Sequence, residues 1–257
     1  MADNIVVVVI PIYKDSPSNI EILSLKQCLT ILNKHKIKFI GPNKINPKVY
    51  KEICKSYIVD FDIRLFDDAY FSGINGYNQL MLSSDFYKDF LNYKYLLIYQ
   101  LDAYVFKDEL LYWCNQGYDF IGAPNQPHKN ERNELQFLKN YTKILTVINK
   151  LLKRNIKISN VGNGGFSLRK TRTFYLLLKI LKIKVKQWGD NNEDGFFKYW
   201  GNLLNPLFKL PSDEVALRFS IENNPEKSIK KLGGILPFGC HAFEKFEPAI
   251  WKKYINF

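Results

Sequence analysis

The sequence predicts an α/β fold, with a mostly parallel central sheet flanked by helices. Three observations carry this. Ile5 through Ile10 are all β-branched and the run stops at Pro11, the pattern of a strand buried on both faces. Tyr95 through Tyr99, an apolar and aromatic run, reads as the second strongly buried strand. Strand-like and amphipathic stretches alternate along the chain, an order that builds a parallel sheet through helical crossovers. The chain has 257 residues and is 46% hydrophobic, enough to bury a substantial core and to exclude disorder. No internal repeat or low-complexity linker divides it, so residues 1–257 are expected to form a single domain.

The elements follow in order. After the first strand, Ser18 to Lys34 has Ile22, Leu25, Cys28, Leu29 and Leu32 at helical spacing. Ile37 to Ile40 is a short strand stopped by Gly41 and Pro42. Residues 47–56 read as a helix, Tyr57 to Phe61 as a strand, and Tyr77 to Leu91 as a helix. The Tyr95–Tyr99 strand leads directly into Gln100, Leu101 and Asp102; Leu110 to Cys114 is a short helix, and Tyr118 to Ile121 a strand ending at Gly122. Residues 128–160 form a basic helical insertion, running from Leu135 to Leu152 with Lys139, Lys143, Lys150, Lys153 and Arg154. Such a helix is either a solvated element packed on the domain or a membrane-surface or acceptor-binding element. Val161 to Arg169 holds a glycine-rich turn and a strand, Arg172 to Leu181 a helix, 187–194 a loop, and 194–203 a helix. The last fifty residues mix short helices and strands and contain His241.

Composition narrows the function. A net charge of +12 favours nucleic acid, anionic lipid or phosphate-bearing partners. Nucleic acid is not expected, because the cations are spread along the chain and no helix-turn-helix, zinc-finger or RNA-recognition signature occurs. Cys28, Cys54, Cys114 and Cys240 form no paired motif, so they read as buried reduced thiols in a cytosolic protein. Met1 to Asn4 lacks a basic leader, and no apolar run is long enough to span a bilayer. A cytoplasmic location is expected. The basic helix adds a peripheral location at the inner face of an anionic membrane as its functional reading.

In an open α/β sheet, ligands bind beyond the carboxyl ends of the strands. Four motifs fall there: Pro11 to Tyr13, Gln100 to Asp102, Gly122 to Pro124, and Gly162 to Gly165. Asp102 is placed either to hold Mg²⁺ or Mn²⁺ and so neutralise a diphosphate, or to cap a following helix. Gly164 and Gly165 permit close backbone approach, and Asn163 offers a donor and an acceptor to sugar hydroxyls; an ordinary turn would use the same residues. Glu193 and Asp194 open a predicted helix, either as dipole-stabilised first-turn acids or as a general base with a substrate-orienting carboxylate. His241 is either structural or a metal ligand.

Taken in order, the buried strand, Gln100-Leu-Asp102, Gly162-Asn-Gly-Gly-Phe-Ser-Leu-Arg169, Trp188-Gly-Asp-Asn-Asn-Glu-Asp-Gly195 and the late His241 resemble the GT-A glycosyltransferases. The pattern is most similar to the β-1,4-galactosyltransferase and polypeptide N-acetylgalactosaminyltransferase type. Over nearly the whole length the chain also resembles an uncharacterised bacterial family related to these, through Tyr77-Asn78, Tyr99 to Asp102, Tyr118 to Gly122 and Gly239 to Ala242.

The resemblance implies a nucleotide-sugar donor, with UDP as the nucleotide, and a glycan or lipid-linked acceptor in surface-polysaccharide synthesis. Asp102 and His241 match metal ligands, with Gln100 standing where the first Asp of Asp-x-Asp would be. The implied cation is divalent, Mn²⁺ or Mg²⁺, and a neutral amide at 100 binds it less strongly than a carboxylate would. Gly164, Gly165 and Phe166 match the donor-sugar segment, and Pro11 and Tyr13 the loop that meets the base. Asp194 matches the base of inverting enzymes, with Glu193 beside it contacting acceptor. Retention stays open if Asp194 only positions substrate. A catalytically inactive sugar-binding or nucleotide-binding module is the alternative that Gln100 favours. A nucleotidyltransferase would open on a glycine-rich phosphate loop, which Val9 to Tyr13 lacks.

Overall fold

The computed structural model describes residues 4–125, 143–144, 146–153, 157–189 and 191–257. In chain order the elements are β1 (Asn4–Pro11), α1 (Asn19–Ile31), β2 (Lys36–Pro42), α2 (Lys48–Ser56), β3 (Ile63–Phe66), α3 (Ile74–Met81), α4 (Ser84–Lys88), β4 (Tyr93–Tyr99), β5 (Ala103–Val105), α5 (Leu110–Asn115) and β6 (Phe120–Ile121). Then come β7 (Phe166–Lys170), α6 (Thr171–Ile180), α7 (Lys182–Trp188), α8 (Glu193–Leu204), α9 (Asp213–Phe219), β8 (Ser220–Ile221), α10 (Pro225–Lys231), β9 (Gly239–His241) and α11 (Pro248–Trp251).

β1 lies at the centre of a six-stranded sheet ordered β3-β2-β1-β4-β7-β6. β3, β2, β1 and β4 are mutually parallel, and β7 runs antiparallel to β4. The β-branched run of β1 follows from this position. Val6, Val8 and Ile10 face one core with Leu25 and Leu29 of α1. Val7 and Val9 face the other, with Leu80, Phe86 and Phe174 from α3, α4 and α6. Both faces are dry, so strand alternation gives apolar residues at every position. α1 begins on a capping box, in which the Ser18 hydroxyl accepts from the Glu21 amide and Glu21 accepts from the Ser18 amide.

Several boundaries differ from the sequence reading. The strand expected at 57–61 lies at Ile63–Phe66. Tyr57 caps α2, and Ile58 takes a left-handed φ of 57° that turns the chain away. Tyr57, Val59 and Phe61 still pack against the core, which is why their spacing looks strand-like. The single helix expected over 77–91 is two, because Ser83 breaks it and caps α4 through the Asp85 amide. Of the predicted 128–160 insertion, 143–144 and 146–151 are helical; Lys139 and Arg154 lie outside the described residues. The four cysteines are free and buried. Among the described residues no helix is long and apolar enough to cross a membrane.

A second, three-stranded sheet, ordered β5-β9-β8, was not foreseen. Its strands have two or three residues each, too short to show a period of two. Its function in the architecture is to bring distant segments together at one end.

Candidate active site

The small sheet builds the first half of the site. β5 and β9 pair with Ala103 opposite His241, so Asp102 falls beside the imidazole. β8 pairs with β9 on the other side, with Ile221 opposite Cys240, and Glu222 follows directly. His241 therefore stands between two acids. Its Nε2 is 3.0 Å from Asp102 Oδ1 and 3.1 Å from Gln100 Oε1. Its Nδ1 is 3.0 Å from Glu222 Oε1. Lys245 donates to Asp102 Oδ2 at 2.9 Å. Burial disfavours a charged ring, but Asp102 and Glu222 outweigh it and push the His241 pKa up to about 10. Burial likewise raises Asp102, yet His241 and Lys245 hold its carboxyl well below the usual carboxylate range.

The turn that carries Asp102 is rigid. Gln100 donates its amide to Gly165 O at 2.8 Å, and Ala103 donates to Gln100 O at 2.9 Å. Ser24 and Gln27 of α1 donate to the carbonyls of Ala103 and Val105. Asp102 is followed by a strand, not a helix, so the helix-cap reading of this residue falls.

The glycine-rich turn builds the second half. Asn163 has a left-handed φ of 65°, which Asn tolerates better than most residues. Its side-chain oxygen accepts from the Gly165 and Phe166 amides and closes the turn. Asp194 Oδ2 accepts from the Asn163 amide at 2.7 Å, tying the turn to the first turn of α8. Glu193 is held differently. Its Oε1 accepts from Arg169 Nη2 at 2.8 Å, with both side chains buried. Arg169 also donates to Tyr87, Ser167 and the Gly164 carbonyl, and its guanidinium lies 5.6 to 5.7 Å from the ring centres of Phe120, Phe174 and Phe197. Burial pushes the Glu193 carboxyl upward and Arg169 opposes it.

These two halves face a cavity of about 1010 Å³. Pro11, Tyr13, Gln100, Asp102, Asn163, Gly164, Gly165, Glu193, Asp194 and His241 all line it. Tyr13 is half exposed and donates to Glu21 at 3.0 Å. Phe166 is the exception among the expected residues. It does not line the cavity; its ring is fully buried against Tyr99, Phe219 and Phe238.

A family model described as "Protein of unknown function (DUF5672)" matches residues 60–241. The chain belongs to the DUF5672 family. The matched span holds β4 with Gln100 and Asp102, the Asn163 turn, α8 and His241; Pro11 and Tyr13 precede it. No curated protein matches this DUF5672 chain in sequence. Its fold is that of solved glycosyltransferases of the GT-A type. Mouse xyloside xylosyltransferase 1 aligns at 11% identity and a TM-score of 0.53 over 91% of this chain and 96% of that one. The galactosyltransferase LgtC, solved with donor and acceptor sugar analogues, aligns at 10% and 0.55 over 91% and 86%. Core-mannan synthase A from Aspergillus fumigatus, in its Mn/GDP form, aligns at 10% and 0.50 over 82% and 71%.

Three residues of this DUF5672 site escaped the sequence reading. Glu222 follows a two-residue strand and so had no recognisable frame. Lys245 sits in an ordinary charged stretch. Arg169 carried a usable signal, a cation directly after Leu168 inside strand β7, ahead of the Lys170 that ends it. Among the described residues no three His, Cys, Asp or Glu side chains converge as a cage for a metal ion. The donor set that does converge is one carboxylate, one imidazole and one amide oxygen. Oxygen-plus-imidazole chemistry suits Mn²⁺ once the imidazole has lost its proton. The residues fit such an ion.

Proposed function

We propose that this chain is a nucleotide-sugar-dependent glycosyltransferase, folded as one GT-A domain. It transfers a sugar from a nucleoside-diphosphate donor, with UDP as the nucleotide, to a glycan or lipid-linked acceptor in surface-polysaccharide synthesis. The observation that supports this best is the convergence of Asp102, His241, Gly164, Gly165 and Asp194 on one cavity at the carboxyl ends of the parallel strands.

The roles divide by geometry. Asp102 and His241, with the Gln100 amide, would hold a divalent cation, which supplies charge stabilisation to the leaving diphosphate. Lys245 lies 2.9 Å from Asp102 and adds a cation of the chain's own. Gly164 and Gly165 line the cavity and, having no Cβ, let Glu193 pack against the turn on one side and His241 and Gln100 on the other. Asp194 lines the cavity and is the candidate base: it would take the acceptor hydroxyl proton as that oxygen attacks the anomeric carbon, giving inversion. Glu193 is a positioning residue, because its buried carboxylate is paired with the Arg169 cation, whereas Asp194, among the described residues, accepts only from the backbone amides of Asn163 and Gly195. Glu222 orients the imidazole through Nδ1, as carboxylates do behind metal-binding histidines.

A panel of nucleoside-diphosphate sugars, each with Mn²⁺, Mg²⁺ or EDTA, tests the reading. Nucleoside diphosphate release from one donor, lost in Asp102→Ala and Asp194→Asn, is the expected result. Gln100 and the Lys245–Asp102 pair favour one other reading, an inactive nucleotide-binding module; donor binding without release in the presence of acceptor candidates selects it.

A further inference from the structure

The outer surface of α6 and α7 has a composition that the sugar site does not explain. The two helices meet at Leu181 and continue one hydrogen-bond ladder: Leu181 donates to Leu177 O and Val185 donates to Leu181 O. Their inner face is fully used. Phe174, Leu177 and Leu178 are buried in the core, and Leu181, Val185 and Trp188 pack against it. A helix with one such stripe normally turns polar residues to solvent. Here Leu176, Ile180 and Ile183, at i, i+4 and i+7 on the opposite face, are 45%, 78% and 72% exposed. Arg172, Lys179, Lys182, Lys184 and Lys186 are also exposed. On a helical projection the three aliphatic residues lie within the span of these cations, with Lys182 and Lys184 at the two edges.

The charge on this face has one sign. The sequence from Thr171 to Gly189 contains no Asp or Glu. Among the described residues none of the five cations pairs with a carboxylate. We propose that the outward face of α6–α7 docks on an anionic lipid bilayer, with Leu176, Ile180 and Ile183 entering the acyl boundary and the cations meeting the headgroups. An aliphatic centre flanked by lysines is the pattern of helices that lie in a membrane interface. Nucleic acid would meet the lysines but leave the aliphatic residues in water. This inference stands apart from the proposed chemistry, since vesicle binding requires no turnover. It also locates the membrane contact elsewhere than the basic 128–160 segment.

Co-sedimentation of the full chain with phosphatidylcholine vesicles, with and without phosphatidylglycerol, is the test. Wild type is expected to bind only the anionic vesicles and to release as salt rises. Each basic residue near such a surface contributes roughly 1 kcal/mol, so the triple change Lys179→Glu, Lys182→Glu, Lys186→Glu should weaken partitioning by about 100-fold or more. The double change Ile180→Asp, Ile183→Asp should abolish it. Both variants alter exposed side chains, and unchanged thermal melts establish that they fold. Equal binding to neutral vesicles, no binding at low salt, or wild-type binding by either variant overturns the proposal. So does lipid-free self-association that Ile180→Asp removes, since the face would then be a contact between copies.

Discussion

Gly165 offers the sharpest perturbation of the site. Its φ lies outside the left-handed region, so the glycine is required for space rather than for backbone conformation. A Cβ there would collide with His241 Nε2 and would stand 2.5 Å from both Gln100 Oε1 and His241 Cδ2. Ordinary contact begins at 3.4 Å, so Gln100 Oε1 and His241 Cδ2 must retreat by about 0.9 Å, and His241 Nε2 by more. The backbone cannot yield instead, because the Gly165 amide is bound to Asn163 and its carbonyl to Gln100. Displacing groups at a reacting centre by about 1 Å costs on the order of 100-fold in rate, whereas overpacking of this kind costs about 1–3 kcal/mol of stability. At roughly 2–4 °C per kcal/mol for a chain of this size class, melting should fall by a few degrees to about ten. Gly164→Ala is the control. Its Cβ would collide with Glu193 Oε1 and approach Arg169 Nη2 to 3.0 Å, disrupting a buried ion pair at a cost of about 3–5 kcal/mol. Donor turnover, Mn²⁺ affinity by electron paramagnetic resonance, and thermal melts separate the two. Gly165→Ala should lose turnover and Mn²⁺ affinity with a modest melting change, and Gly164→Ala should lose mainly stability. Wild-type Mn²⁺ affinity and turnover in Gly165→Ala would refute the assignment of this corner to the ion and the diphosphate.

Three further outcomes follow from the same contacts. Arg169→Met should cost about 3–5 kcal/mol in urea unfolding by stranding the Glu193 charge, and adding Glu193→Leu should restore a good part of it. Glu222→Gln should lower Mn²⁺ affinity by roughly 10- to 100-fold while leaving the far-ultraviolet spectrum unchanged; unaltered affinity would remove its orienting role. Burial pushes the Cys54 thiol up to about 11 and Cys114 up to about 12. Because these folded values exceed the unfolded value of about 8.5, their contribution is complete below that pH and is lost as pH rises toward 11. Native protein should therefore resist thiol reagents near pH 8 and lose stability above it, and alkylation of either thiol without unfolding would contradict their burial.

Much of the large sheet was legible because its signals are local. Four β-branched valines in a row can only be a strand covered on both faces, and Asp102 and the Asn163 turn were found because each adjoins such a strand. What stayed hidden depends on tertiary pairing. In the β5-β9-β8 sheet the β5–β9 register joins residues more than one hundred positions apart, and all three strands are too short to carry a pattern. Glu222 was missed for that reason, although it contacts the same imidazole as Asp102. Phe166 shows the converse error. It belongs to a motif associated with donor binding, yet strand alternation in β7 sends its ring into the core while Gly165, one residue earlier, lines the cavity. Glu193 was legible as an acid at a helix start, but its partner Arg169 is reached only across the fold.

The charge balance of the site gives the neutral Gln100 side chain a physical meaning. A two-carboxylate motif leaves two negative charges, which a divalent ion cancels. Here the first position is neutral, and Asp102 already has Lys245 on one oxygen and His241 on the other. One carboxylate fewer than such a motif means weaker attraction for an external cation, but it also means an ammonium and an imidazolium less neutralised toward an incoming diphosphate. Glu222 partly offsets the imidazolium from behind; nothing described offsets Lys245 beyond its contact with Asp102 and the nearby Glu244 and Glu222 charges. A preorganised cation in a partly enclosed site acts on developing charge without the reorganisation that water requires. If Lys245 carries the larger share, Lys245→Met should depress donor turnover more than EDTA does. If the ion carries it, the order reverses, and the Gln100→Asp substitution should raise both Mn²⁺ affinity and metal-dependent turnover.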